Sequence, residues 1–130
     1  MDYELWNPET DLNIHANYSE ETIAGKELNK IALLEAMGLE VDLEKPLFAM
    51  VSRLVDQKGF GELCGPTHGR LYSICDDFEL QFAILGTGDA WCEEELEVLD
   101  EKLVNLSVAL EFNDSLAHLM IAGADFFLMP

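Results

Sequence analysis

Arg53 and Lys58 stand in one short stretch, "PLFAMVSRLVDQKGFG" at residues 46–61, directly after an apolar run. The chain has 130 residues, with 26 Asp or Glu, seven Lys or Arg and a formal net charge of −19. Two of its few cations in one loop need a reason. An Arg fork binds two phosphate oxygens at once, and a Lys ammonium adds a mobile point charge, so together they suit a diphosphate. Gly59 follows at once and lets backbone N–H groups approach an anion. The competing reading is a pair of surface cations that balances the acidic field. Spacing alone does not separate the two.

Two further stretches carry candidate contacts. "ILGTGD", residues 84–89, contains the turn Gly86–Thr87–Gly88, which permits close backbone approach to a ligand. It lacks the third glycine of the dinucleotide fingerprint, which argues against NAD. Asp89 is placed to cap the next helix or to accept from a sugar hydroxyl, and a plain strand-to-helix turn explains the same residues. In "LEFNDSLAH", residues 110–118, Phe112 offers a ring on which a nucleobase can stack, or it is ordinary core. His118 sits among apolar neighbours and reads as a satisfied packing histidine. No Ser–His–Asp or Cys–His set can be assembled.

Composition limits the function classes. The acidic balance argues against nucleic acid and against anionic membranes, because both require a basic face. No apolar run approaches the ~18 residues of a membrane span. The start, "MDYELWNP", has no basic region and does not resemble a signal peptide, which predicts a cytoplasmic protein. Cys64, Cys75 and Cys92 form neither a metal spacing nor an even framework. They read as reduced thiols, and no metal site is predicted.

The elements that must position these residues follow from periodicity. Four short apolar runs, near 47–52, 80–85, 106–110 and 125–129, read as strands buried on both faces. Helices are predicted over roughly 20–37, 91–103 and 114–122. Ser19 is a candidate cap for the first, whose stripe is Ile23, Leu28, Ile31, Leu34 and Met37, with Gly38 as its stop. Leu96, Leu99 and Leu103 form the stripe of the acidic helix, and Asn113 or Asp114 caps the last one. Pro66 and three glycines interrupt residues 61–69, so a turn near 60–64, a loop at 65–69 and a helix at 70–76 are expected there. Strands alternating with helices predict an α/β fold: a Rossmann-like parallel sheet of about four strands with flanking helices. Ligands of such sheets bind beyond the carboxyl ends of the strands, where all three candidate loops begin. Residues 1–45 read as a loop and helix leading into the domain, and 46–130 as a partial domain. The chain stops at the end of a strand, which predicts a piece of a larger protein.

The strings "DYELWNPETD", "NYSEETIAGKELNK", "PLFAMVSRLVDQKG", "ILGTGD" and "LAHLMIAGADFFLMP", in this order and spacing, closely resemble bacterial glycogen synthase and plant starch synthase. The resemblance covers most of the chain. It implies two Rossmann-like domains facing a cleft, of which this chain is the first part of the C-terminal, nucleotide-binding one. It implies glucosyl transfer from ADP-glucose to an α-1,4-glucan, with retention, without a cofactor or a required metal. It places Arg53 and Lys58 at the diphosphate, the Gly86–Gly88 turn near the nucleotide and Phe112 on the adenine. A plant parent would lie in the plastid.

Some residues depart from the family pattern. Glu111 replaces a usual Gly and adds negative charge near the nucleotide, Leu119 replaces a common Arg, and residues 61–77 do not match. The partner domain that the family's cleft requires is missing, so the chain alone should not turn over. Two other readings remain open. One is a nucleotide-sugar transferase of the same fold with another donor. The other is a non-catalytic acidic module that self-associates through the open sheet edge near 125–130.

Overall fold

The computed structural model describes residues 7–14, 16, 24–54, 71, 74–75, 78–111 and 113–128. The α/β expectation holds. In chain order the elements are α1 (Ala24–Ala36), β1 (Leu47–Val51), β2 (Gln81–Leu85), α2 (Ala90–Lys102), β3 (Leu106–Ala109), α3 (Asp114–Gly123) and β4 (Phe126–Leu128). The four strands form one parallel sheet in the order β3-β2-β1-β4. Strand positions agree with the sequence reading to within one or two residues. Of the expected helix at 70–76, Leu71, Ile74 and Cys75 are helical. The turn at 60–64, the loop at 65–69 and Ser19 lie outside the described residues.

Both faces of the sheet are covered, which is why its strands are continuous apolar runs. Successive side chains point to opposite faces. Met50, Phe82, Ile84 and Leu106 pack with Cys92, Leu96 and Leu99 of α2 and with Leu71 and Cys75. Leu47, Ala49, Ala83 and Leu85 pack instead with Leu33 and Leu34 of α1 and Met120 of α3. Leu96, Leu99 and Leu103 are buried, as the stripe predicts. Burial pushes the Cys75 thiol up to about 11.

The α1 stripe holds in part: Leu34 is buried and Met37 packs against the same core, while Ile23 lies outside the described residues. Leu28 is 49% exposed, whereas Asn29 and Lys30 are buried. Polar groups hold those interior places because each is satisfied there. Asn29 exchanges two hydrogen bonds with the Ala16 backbone, at 2.8 and 2.6 Å. Lys30 Nζ donates to Leu43 O, Lys45 O and Asp125 Oδ2 at 3.3, 2.8 and 2.7 Å. The Leu47 N–H donates to the same Asp125 oxygen at 2.8 Å. This ion pair ties α1 to the starts of β1 and β4. The end of α1 is built as expected: Gly38 has φ +70°, Leu39 N–H donates to Leu34 O and Gly38 N–H to Glu35 O. That is the paired bonding of a helix closed by a left-handed residue.

Candidate functional site

The loops leaving β1 and β2 stay locked together past the ends of both strands. Ser52 N–H donates to Leu85 O at 3.1 Å, Leu54 N–H to Thr87 O at 2.9 Å and Asp89 N–H to Leu54 O at 2.9 Å. Leu54 and Gly88 pair as a parallel bridge. Here the two glycines have a structural necessity. A Cβ on Gly86 would stand 1.9 Å from Ser52 O, and one on Gly88 would stand 2.2 Å from Leu54 O. Real Cβ atoms do not approach that closely, so the close backbone approach read from this turn is to the neighbouring chain. Asp89 occupies the cap position of α2 with extended backbone but makes no side-chain cap bond. Glu93 instead reaches back, its Oε2 accepting from Gly88 N–H at 3.3 Å.

This brace holds Arg53 between two fixed neighbours, Ser52 and Leu54, at the carboxyl edge of the sheet. A cleft of about 620 Å³ opens there. Its β1 side is Val51, Ser52 and Arg53, and its β2 side is Leu85, Gly86 and Thr87. Glu111, Asn113, Asp114 and Ala117 complete it from the start of α3. Asn113 caps α3, its side-chain oxygen accepting from Leu116 N–H at 2.9 Å. Arg53, Gly86 and Thr87 are thus brought together, while Gly88 and Asp89 are exposed beside the cleft. Lys58, Gly59 and Phe112 lie outside the described residues.

The other lysines near the sheet are engaged at its opposite, amino edge. Lys30 is bound as described, and Lys26 Nζ donates to Ala122 O at 2.7 Å. Burial lowers the pKa of Lys26, with Asp125 pulling it back up. The Arg53 guanidinium is exposed and makes no ion pair or hydrogen bond with any described residue. Among the described residues it is the cation presented to the cleft.

His118 is buried, as its apolar setting predicts, and its partner comes from far away in the chain. Its Nδ1 meets Asp11 Oδ2 at 2.5 Å, across 107 residues of chain. Asp11 also accepts from Asn13 N–H at 2.9 Å. Burial pushes the Asp11 carboxyl up, but the bonds from His118 and Asn13 outweigh it and hold the group below its ordinary value. Asp114 Oδ2 lies 3.7 Å from His118 Nε2, so the buried pair stands directly behind one cleft residue. Asn113 or Asp114 was legible as the cap; Asn113 fills that position, and the fold sets both residues across from β1 and β2 as a cleft wall.

The glycogen synthase of Treponema denticola is 48% identical over 130 residues, covering 100% of this chain and 26% of that protein. The chain is homologous throughout to glycogen synthases. The glycogen synthase of Nitrosospira multiformis is 41% identical over 126 residues, 96% of this chain and 24% of its own length. The chain therefore spans about a quarter of the length of the glycogen synthases it matches. The fold agrees. The catalytic domain of starch synthase IV from Arabidopsis thaliana, bound to ADP and acarbose, superimposes with a TM-score of 0.82 at 27% identity. That match covers 99% of this chain and 26% of the starch synthase chain. No protein-family model matches the chain. No helix among the described residues is long and apolar enough to cross a membrane.

Proposed function

We propose that this chain is the nucleotide-sugar-binding part of a retaining glucosyltransferase that moves glucose from ADP-glucose to the non-reducing end of an α-1,4-glucan. The observation that carries this reading is a cleft at the carboxyl edge of the sheet with Arg53 on its wall, unpaired with any described residue, in a chain homologous to glycogen synthases. Residues 1–45 lead into the domain, and 46–130 form part of it. Arg53 and Lys58 donate to the diphosphate. Gly59, Gly86, Thr87, Gly88 and Asp89 surround the nucleotide, and Phe112 packs on the base. ADP-glucose is a substrate here, and the reading calls for no cofactor and a cytoplasmic setting.

Electrostatics gives the two cations a catalytic role. As the glucosyl C–O bond breaks, negative charge grows on the departing ADP. Fixed cations aimed at the phosphates hold that transition state more tightly than the ground state. A hydrogen bond to a charged group is worth ~1.5–3 kcal/mol, so removing both cations costs on the order of 3–6 kcal/mol if they act independently.

Calorimetric titration of the chain with ADP-glucose and UDP-glucose tests the proposal. Arg53→Ala and Lys58→Ala should each weaken ADP-glucose binding by roughly tenfold or more. Unchanged affinity in both variants would refute the phosphate cradle, and equal affinity for the two donors would favour a transferase of different specificity. A second behaviour has its own support. The outer edge of β4 pairs with no described strand, and Phe126 on it is 54% exposed. We propose that the isolated chain associates through this edge. A purely monomeric light-scattering profile at high concentration would rule that out.

A further inference from the structure

The cleft carries carboxylates beside its cation. Glu111 and Asp114 line it together with Arg53. Among the described residues, a ligand that was only an anion would meet like charge at Glu111 and Asp114 as well as opposite charge at Arg53. The two acids are differently placed. Asp114 stands against His118, at 3.7 Å, whereas Glu111 is exposed and, among the described residues, accepts a long, 3.5 Å contact from Asn113 Nδ2. An ionised carboxylate can only accept hydrogen bonds. A ligand complementary to this cleft therefore presents negative charge to Arg53 and N–H or O–H donors to Glu111. A nucleoside diphosphate has that polarity, with phosphates at one end and ribose hydroxyls and a base amine at the other.

We propose that Glu111 is a specificity residue of the cleft, its carboxylate accepting a hydrogen bond from an N–H or O–H of the nucleoside whose diphosphate lies at Arg53. This rests on the nucleotide-sugar reading above and deepens it. Glu111 selects for a donor group on the nucleoside and offsets its own repulsion of the phosphates by accepting from that group. It lies on the surface ahead of α3, so its replacement leaves the packed elements untouched.

The experiment titrates the full chain and its Glu111→Ala variant with ADP, IDP and the 2′- and 3′-deoxy forms of ADP. The wild type should bind ADP roughly tenfold or more tightly than the analogue lacking the accepted donor. Discrimination against IDP assigns the 6-amino group, and discrimination against a deoxy form assigns that hydroxyl. In Glu111→Ala the preference should collapse to about twofold or less, with ADP itself weakened. The same preference in both proteins overturns the proposal. So does tighter ADP binding by Glu111→Ala, the result expected of a carboxylate that merely repels phosphate. ADP binding lost in Arg53→Ala but unaffected in Glu111→Ala removes the role of Glu111 and leaves the nucleotide reading standing. A wild-type chain that binds no ADP removes both.

Discussion

Gly88→Ala should destabilise the chain by about 2 kcal/mol, although Gly88 is exposed and lies in a loop. The size follows from the geometry. A Cβ at residue 88 would stand 2.2, 2.5 and 2.7 Å from the O, C and N atoms of Leu54. All three are backbone atoms, so no side-chain rotation relieves the overlap. The two segments must separate, and the bonds Leu54 N–H to Thr87 O and Asp89 N–H to Leu54 O then break. Each is worth roughly 0.5–1.5 kcal/mol net. Their sum agrees with the ~1–3 kcal/mol usual for forcing an extra carbon into packed structure. Urea unfolding followed by tryptophan fluorescence measures the change. Asp89→Ala is the matched control: its side chain makes no cap bond, so it should shift stability by less than about 0.5 kcal/mol. A Gly88→Ala protein as stable as the wild type would show that the brace beneath Arg53 does not exist as described.

Two further outcomes follow from the buried charges. Lys30→Met keeps the length of the side chain but takes away the ion-pair partner of Asp125, which retains the Leu47 N–H bond. It should cost about 2 kcal/mol in urea unfolding, below the value for a fully buried pair because Asp125 is partly exposed. Asp11 has a folded-state pKa below its unfolded value, so its contribution is complete above the ordinary Asp pKa of about 4 and is lost as pH falls through the lower folded value. Melting temperature measured from pH 7 downward should therefore fall more steeply below about pH 4 in the wild type than in Asp11→Asn, and parallel curves would contradict the His118 pairing.

Much of the fold was legible because local signals and tertiary demands coincide. "LFAMV" and "FAIL" are apolar on both faces, and the sheet buries both faces. Gly38 closes α1 and Asn113 caps α3 for reasons contained within a few residues. The exposed Leu28 of the α1 stripe has the opposite cause. Asn29 and Lys30 are interior only because Ala16, Lys45 and Asp125 arrive from distant chain to satisfy them, and periodicity cannot foresee those partners. The same holds for Asp11 beneath His118. At the site, the Gly-x-Gly turn was legible as a close approach to a ligand or as a tight turn, and the fold brings the backbone at Ser52 and Leu54 against it, which no local signal foretells. Arg53 stood out by its rarity in an acidic sequence, and the fold supplied the cleft that faces it.

The proposed function requires the Arg53 guanidinium to meet a diphosphate in the cleft. The most direct measurement is the side-chain Nε–H resonance of Arg53 in a ¹⁵N-labelled chain, assigned with Arg53→Lys and followed during titration with ADP and with adenosine. A saturable shift with ADP that adenosine does not reproduce is the expected result. An Arg53 resonance that stays in place while ADP binds elsewhere on the chain would contradict it.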